Sequence, residues 1–298
     1  NSVFLDANGD LARQPERPDL ARPEDFWEGF DQFGLFYDVF RDVDSKRVWF
    51  VGPDPKNLLS SLKNCTVTGK QSGHVTKFEI VVGHENLAAC VVLPKIDRQF
   101  TLKIAGQQIE GEIGENLCDL FKDKRVLLTL NKDNDLNWIK DWATFYAKEH
   151  GADAVCIFDN GSSSYDATKI AKTLEMLPNI SAVQVVRWSF IFGVMDKVGQ
   201  DNGLNQNVRF AQPPMFLSFC LRLGHEAASI LNVDIDELVF SPSRRSIFEE
   251  AERRFFGTVK FDRFLVENVR NDIVVQSESD FQGFHYRNKK HLGRQDHL

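Results

Sequence analysis

Several common features are missing from this chain of 298 residues, and each absence narrows the class of protein. No stretch approaches the roughly 18 consecutive apolar residues that a transmembrane helix needs, so none is predicted. Acidic residues (43) outnumber basic ones (36), which argues against a protein that binds nucleic acid over its whole surface. Methionine is rare (3), yet hydrophobic residues make up 42% of the chain, enough for a folded core and against wholesale disorder.

Cysteine is scattered along the chain without paired spacing. Zinc sites and disulfide frameworks both use cysteines at paired intervals, so neither is expected. The opening residues also lack the charged and apolar regions of a secretion signal. We therefore expect free, buried thiols in a bacterial cytoplasmic protein, with peripheral association with a membrane left open. The cysteines are Cys65, Cys90, Cys118, Cys156 and Cys220.

The residue pattern divides the chain into two predicted domains, 1–122 and 123–298. The first begins with an acidic arm interrupted by prolines, after which aromatic residues predict a short helix over 26–40. Between residues 46 and 112, short runs of β-favouring residues are separated by turn-forming residues. This pattern is typical of an antiparallel β module, whose role the residues do not indicate.

From residue 123 the pattern alternates between short apolar runs and stretches of helical periodicity. The apolar runs indicate buried strands, and the periodic stretches indicate amphipathic helices. Strands that alternate with helices form βαβ units, so the predicted fold is α/β, a mostly parallel sheet flanked by helices. The predicted strands are 125–130, 154–158, 182–186 and 229–233, and the predicted helices are 136–147, 167–177, 213–222 and 247–256.

Polar residues follow three of the predicted strands, at 131–135, 159–164 and 234–237. Ligands of parallel sheets bind at the carboxyl ends of the strands, which makes these clusters the expected binding site. The middle cluster allows two interpretations. In the first, Asp159 and Asn160 only form a turn, because Asp, Asn, Gly and Ser all favour turns. In the second, the Asp159 carboxylate accepts a hydrogen bond from a nucleobase or ribose.

The acidic residues at 234–237 are the strongest indication of chemistry. Residues two apart in an extended chain point to the same side, which places Asp234 and Asp236 together. Neighbouring carboxylates repel each other, and a divalent cation relieves that repulsion. Oxygen ligands suit Mg²⁺ or Mn²⁺, which also bridge substrate phosphates. The alternative is that Asp234 caps a turn and the following acids belong to a solvated loop.

Two motifs combine an aromatic helix, a strand that ends in polar residues and an acidic segment. They are Trp138-Ile139-x-x-Trp142-x-x-Phe145-Tyr146 with Gly151-Ala152 and Phe158-Asp159-Asn160-x-Ser162-Ser163, and Gln212 and Cys220 with Asn232-Val233-Asp234-Ile235-Asp236-Glu237-Leu238. In this order they resemble GT-A fold glycosyltransferases, in particular glycosyltransferase family 92 and its bacterial relatives. The resemblance covers about residues 124–260, and Leu238 stands where the family has Phe.

The resemblance implies a GT-A, Rossmann-like domain over 123–298 that binds a nucleotide sugar with a metal ion. For Arg187, which precedes Trp188, the alternative is a surface residue beside a core tryptophan. For His285, the third metal ligand, the alternative is a surface histidine. The implied nucleotide-sugar ligands are Asn131, Asp133, Asp159, Asn160, Arg187 and Asp234, and the implied metal ligands are Asp234, Asp236 and His285.

Catalysis with inversion also needs a carboxylate base near the acceptor. The sequence does not choose among the downstream acids Asp262, Glu267, Glu278 and Asp280, and we take Asp280 with Glu237 as the predicted catalytic residues. Glu237 is expected to orient metal-bound water or the donor sugar, or else to cap the turn. The segment 285–298 is basic. It either folds over the diphosphate and neutralises its charge or is a solvated tail.

The predicted function is a glycosyltransferase that uses Mn²⁺ or Mg²⁺ to move a sugar from a donor, expected to be UDP-linked, to a glycan or other hydroxyl acceptor in surface polysaccharide synthesis. No nucleic-acid partner is expected, and the oligomeric state is left open. The alternative is a non-catalytic carbohydrate-binding or scaffold protein. A nucleotidyltransferase is disfavoured because residues 131–134, after the first predicted strand, contain no glycine to hold a triphosphate.

Overall fold

The computed structural model describes residues 1–44, 46–83, 85–196, 206–241, 245–262, 266–267 and 286–287. In these parts of the chain, no helix is both long and apolar enough to cross a membrane. The strands, in chain order, are β1 (Val3–Phe4), β2 (Gly34–Phe36), β3 (Asp38–Arg41), β4 (Arg47–Pro53), β5 (Thr66–Gly69), β6 (Val75–Thr76), β7 (Glu79–Val82), β8 (Asn86–Val92), β9 (Gln99–Ile104), β10 (Gln107–Glu112), β11 (Arg125–Asn131), β12 (Ala154–Asp159), β13 (Ala182–Arg187), β14 (Gly193–Asp196), β15 (Gln206–Arg209), β16 (Ser229–Asn232), β17 (Val266–Glu267) and β18 (Tyr286–Arg287).

Helices are fewer than strands in the described part of the chain. Two short 3₁₀ turns occupy Lys56–Leu58 and Cys118–Phe121, and one turn of π-helix occupies Phe219–Leu223. The α-helices are α1 (Glu24–Gly29), α2 (Leu59–Asn64), α3 (Leu136–His150), α4 (Ala167–Glu175), α5 (Gln212–Ser218) and α6 (Ile247–Arg253).

The chain forms two compact units. Unit 1 comprises Asn1–Asp123, Phe158–Gly161 and Val186–Ala227, and unit 2 comprises Lys124–Ile157, Ser162–Val185 and Ala228–Leu298. The last residues of β12 and β13 therefore belong to unit 1, whereas the rest of both strands belongs to unit 2.

Unit 1 is built on two antiparallel four-stranded sheets, in the orders β3-β4-β8-β7 and β10-β9-β5-β6. Apolar residues of the two sheets share one core, in which the rings of Phe50 and Phe100 lie 5.0 Å apart. Ala105 and Gly106 have φ angles of 45° and 83°, and this pair of positive values suits the tight turn of the β9–β10 hairpin.

The acidic arm at the start of the chain is held in unit 1 by a buried arginine. The Arg13 guanidinium donates hydrogen bonds to the carbonyl groups of Asp31 (2.7 Å), Gly34 (2.6 Å) and Asp54 (2.9 Å). The predicted helix over 26–40 is wrong beyond Gly29, where α1 ends and β2 and β3 follow. Aromatic residues favour strands as much as helices, so their clustering did not distinguish the two.

Unit 2 contains most of the parallel sheet, whose strand order is β13-β12-β11-β16. Apolar residues of α3, α4 and α6 share a core with those of the sheet, and Trp142 and Tyr146 of α3 are fully buried there. The Asp135 side chain accepts the N–H of Asn137 at 2.7 Å at the start of α3. Gly151, with φ of 72°, ends the helix in the left-handed conformation that favours glycine.

The predicted GT-A architecture, a mostly parallel sheet flanked by helices after a smaller β module, is wrong. Among the described residues, one sheet is parallel and several are antiparallel, and strand (30%) exceeds helix (25%). Between residues 125 and 253 the local pattern placed β11, β12, β13, β16 and the helices well and missed β14 and β15, and it does not determine which strands pair. Between β13 and β16 the described chain forms the antiparallel pair β14–β15, α5 and the π-turn, all assigned to unit 1.

Candidate functional site

Two of the polar clusters lie at the same edge of the parallel sheet in unit 2. β11 and β16 are parallel neighbours with Leu128 opposite Asn232, and the Val233 N–H donates to the Leu128 carbonyl at 3.1 Å. Both strands therefore end on the same side, where the loop 131–135 and the turn 234–237 begin. Ligands of parallel sheets bind at this edge, which makes it the candidate site.

The acidic turn directs its two aspartates to solvent. Val233 and Ile235 are buried, at 6% and 3% exposure, whereas Asp234 and Asp236 are exposed. The Glu237 N–H donates to the Asp234 carbonyl at 3.0 Å, which closes a turn, and the Glu237 carboxylate accepts the Asp234 N–H at 3.4 Å. The side chain of Glu237 therefore supports the turn while the two aspartates face outward.

A buried tyrosine holds this turn from below. The Tyr146 hydroxyl donates to the Glu237 carbonyl at 3.1 Å and accepts the Val239 N–H at 3.0 Å. Burial raises the pKa of Tyr146 far above its usual range, so the hydroxyl keeps its proton. Helical spacing predicted Tyr146 only as a member of the apolar face of α3. Its hydroxyl group was the signal for a further role, because a buried tyrosine hydroxyl needs a hydrogen-bond partner.

His150, at the end of α3, holds the chain that follows the acidic turn. The ring is 4% exposed; its Nε2 lies 2.8 Å from the Val239 carbonyl, and its Nδ1 accepts the Ile247 N–H at 3.3 Å. These contacts place the proton on Nε2, because Nδ1 acts as an acceptor. His150 was not predicted to have a structural role, because its partners lie 89 and 97 residues away along the chain.

The carboxylate of Asp133 organises the loop that follows β12. Its Oδ1 accepts the N–H groups of Ser163 at 2.7 Å and Ser164 at 2.9 Å, and the Asp133 N–H donates to the Ser162 hydroxyl at 2.8 Å. These bonds, the amide of Ser164 above all, hold the pKa of Asp133 below its usual value. Asp133 thus ties two loops of unit 2 together, and its contact with a nucleotide stays a prediction.

Asn131 is buried in the same network. Its amide donates to the Tyr165 hydroxyl at 3.2 Å, and its carbonyl oxygen accepts from the Asn134 amide at 3.0 Å. The Tyr165 hydroxyl in turn donates to the Asn134 carbonyl at 2.6 Å. Asn131 therefore supports the loop, and its predicted role in binding the nucleotide sugar stays a prediction. Tyr165 was not among the predicted site residues.

The third polar cluster belongs to unit 1. Asp159 and Asn160 are each 6% exposed, and the Asn160 amide donates to the carbonyls of Trp188 (2.7 Å) and Phe190 (2.8 Å). The Trp188 N–H donates to the Asp159 carbonyl at 2.8 Å. Both amide hydrogens of Asn160 are thus used to hold the segment after β13. Trp188 is buried and Arg187 is exposed, and the predicted nucleotide contacts of Asp159, Asn160 and Arg187 stay predictions.

The carboxylates of the acidic turn are suited to bind a hard divalent cation whose remaining ligands are substrate phosphates and water. In the described part of the chain, no group of three or more His, Cys, Asp or Glu side chains is placed to bind a metal. Magnesium, however, is commonly held by one or two carboxylates, with substrate phosphates and water completing the shell. Asp234 and Asp236 supply two such carboxylates. Predicted residues His285 and Asp280 lie outside the described residues.

The cysteines do not form a second reactive centre. Burial raises the pKa of Cys65 to about 12 and those of Cys90 and Cys220 to about 11. Burial also raises the pKa values of Cys118 and Cys156. The thiolate is the nucleophile and metal ligand, so thiols with these pKa values are disfavoured in either role.

Comparison with known proteins gives no further assignment. No protein-family model matches the chain, and no curated protein matches it. The resemblance to glycosyltransferase family 92 therefore stays a prediction. The function is inferred below from the side chains at the edge of the parallel sheet.

Proposed function

We propose that the protein is a metal-dependent glycosyltransferase that takes its sugar from a nucleotide diphosphate. One observation carries the proposal: Asp234 and Asp236 are exposed, directly after a strand of the parallel sheet, in a turn held by buried side chains. The loop 131–135 leaves the neighbouring strand at the same edge. This combination supports a site for a divalent cation and a diphosphate.

The electrostatics of the turn support this proposal. Val233 and Ile235 anchor the backbone in the core, and the Tyr146 hydroxyl fixes the carbonyl of Glu237. The backbone that carries the two aspartates is therefore held in place. A cation bound by both carboxylates would remove the repulsion between them.

Each residue then has a definable task. Asp234 and Asp236 hold the cation, which when bound neutralises charge on the leaving diphosphate. The Glu237 side chain keeps the turn closed through the Asp234 N–H. Asp133 orders residues 162–164, which border the same sheet edge. A carboxylate removes the proton of the acceptor hydroxyl, and Asp280 is the predicted base if the reaction inverts the anomeric centre.

The proposed substrates are a UDP-linked sugar and a hydroxyl group of a glycan, in the synthesis of a bacterial surface polysaccharide. The resemblance of the motifs at 138–163 and 212–238 to glycosyltransferase family 92 supports the UDP-linked donor, and the acidic turn supports a site for its diphosphate. The sugar, the acceptor and the linkage depend on loops whose chemistry a fold does not specify.

A donor screen tests the proposal. UDP release from common UDP-sugars, measured with acceptor glycans, should require Mn²⁺ or Mg²⁺ and stop with excess EDTA. Asp236→Asn removes one charge at an exposed position, so the protein should fold normally while release falls about a hundredfold or more. Asp141→Asn, an exposed aspartate of α3, is the matched control and should keep full activity. Full activity in Asp236→Asn, or in EDTA, excludes the metal role.

A non-catalytic carbohydrate-binding or scaffold protein is the second candidate. Asn131, Asp133 and Asn160 all form hydrogen bonds within the protein, as expected if the polar strand ends only build turns. This candidate predicts neither UDP release nor metal-dependent nucleotide binding, whereas the glycosyltransferase predicts both.

A further inference from the structure

The chain that follows α6 presents two large apolar side chains to solvent. Phe255 and Phe256 are 95% and 86% exposed, and their rings lie edge to face at 5.1 Å. Phe261, a few residues later, is 49% exposed. Clustered exposed aromatic side chains of this kind mark interaction surfaces, whereas scattered ones need no explanation.

Basic residues flank these aromatic residues on both sides. Arg253 and Arg254 precede the phenylalanine pair and Lys260 follows it, all three are exposed, and no acidic residue occurs between 253 and 261. The acids of α6 offset part of this charge: Glu250 lies 3.8 Å from Arg254, whereas Glu252 accepts two hydrogen bonds from Arg125, outside this segment. Arg253 and Lys260 therefore supply most of the positive charge beside the exposed rings.

An open depression of about 250 Å³ lies beside the same segment. Its lining combines three guanidinium groups with two carboxylates: Arg245, Arg253, Arg254, Glu249 and Glu250. Guanidinium groups bind phosphate oxygens through paired N–H donors, but the two carboxylates leave this lining with only one positive charge in excess. The depression therefore adds a small attraction for an anionic head group to that of Arg253 and Lys260.

We propose that the surface formed by Arg253, Arg254, Phe255, Phe256, Lys260 and Phe261, here called the RF surface, docks on a bilayer that contains anionic phospholipid. The two adjacent phenylalanines enter the boundary between head groups and acyl chains, and the basic residues contact the head-group phosphates.

A bilayer fits the RF surface better than a protein partner does. A bilayer presents hydrocarbon and anionic groups in the same thin layer, which matches phenylalanines bracketed by arginine and lysine. Protein–protein interfaces are enriched in phenylalanine and arginine but depleted in lysine, and Lys260 accompanies the arginines here. The proposal uses neither Asp234 nor Asp236, so it is independent of the proposed glycosyltransferase activity.

Sedimentation with vesicles tests this proposal on the whole chain of 298 residues. The protein should sediment with vesicles made of equal parts phosphatidylglycerol and phosphatidylcholine, and only weakly with phosphatidylcholine alone. Raising the salt concentration should weaken the binding, because salt screens the basic residues. Neither UDP nor metal is required, so failure here and failure of the transferase assay are separate results.

Two double variants locate the contact. Phe255→Ser/Phe256→Ser and Arg253→Gln/Arg254→Gln should each reduce partition to the anionic vesicles about tenfold, because apolar and electrostatic contributions act together. Met176→Ser, which removes an apolar side chain that is 82% exposed, and Lys169→Gln/Lys172→Gln, which removes two exposed charges, are the matched controls in unit 2. Absence of wild-type binding, or equal binding by all variants, overturns the proposal. Self-association that depends on the phenylalanines, without vesicle binding, indicates a protein partner instead.

Discussion

At the scale of single residues, carboxylates at neighbouring strand ends have different environments. The Asp133 carboxylate accepts two backbone N–H groups and is part of the loop structure. Asp234 and Asp236 are exposed because buried Val233 and Ile235 alternate with them. The same residue type therefore supports the loop structure at position 133 and is exposed on a turn at positions 234 and 236.

The lowered pKa of Asp133 leads to a prediction about acid stability. A carboxyl group with a lowered pKa in the folded state stabilises the protein above its unfolded-state pKa, about 3.9, and this contribution is lost as pH falls through the folded value. Asp133→Asn should therefore lower the thermal midpoint near neutral pH, slightly because the group is exposed, and the difference from wild type should vanish in acid. Thermal unfolding followed across this pH range measures both.

The control for this experiment is Ser163→Ala, which removes a weakly bound hydroxyl but keeps the backbone N–H bonds to Asp133. It should keep most of the wild-type pH dependence, because the Ser163 hydroxyl is the smallest of the causes that lower the pKa of Asp133. An Asp133→Asn profile parallel to wild type at every pH contradicts the assigned role of these amides.

The hydroxyl of Tyr146 gives a second prediction. Tyr146→Phe leaves the Glu237 carbonyl and the Val239 N–H without their bonds to this hydroxyl, so the free energy of unfolding should fall by about 1–3 kcal/mol. The acidic turn should also loosen, and UDP affinity in the presence of Mn²⁺ should fall about tenfold, as is typical when a group that orients metal ligands is lost. Chemical denaturation and calorimetry measure the two effects.

Tyr37→Phe is the matched control. Tyr37 is a buried tyrosine of unit 1 whose hydroxyl donates to Asp31 at 2.5 Å. Its loss should lower stability but leave UDP affinity unchanged. If Tyr146→Phe lowers stability alone, Tyr146 supports the fold without positioning a site.

At the scale of elements, the sequence predicts the helices and strands with strong local patterns. Apolar residues at helical spacing, with Asp135 before them and Gly151 after them, define α3. The pair β14–β15 was not predicted. The contacts of Tyr146 were not predicted either. Its partner Glu237 is 91 residues away, and the local spacing of residues carries no information about contacts at that distance.

At the scale of the whole molecule, the correct elements led to an incorrect fold class. The alternation of strands and helices after residue 123 indicated a mostly parallel sheet, but sheet membership depends on pairing between distant segments. The segment Val186–Ala227 joins unit 1 and contributes an antiparallel strand pair. The position of the acidic residues at strand ends could be predicted from the sequence. The hydrogen bonds of Tyr146 and His150 that hold the acidic turn and the chain after it could not.

The central claim is that Asp234 and Asp236 bind a divalent cation together with a nucleotide diphosphate. Calorimetric titration of the wild-type protein with UDP, with and without Mn²⁺, tests it most directly, alongside Asp234→Asn and Asp236→Asn. We predict saturable UDP binding that requires Mn²⁺ in the wild type and is lost in both variants. UDP binding that is the same without the metal, or that is retained by both variants, contradicts the claim.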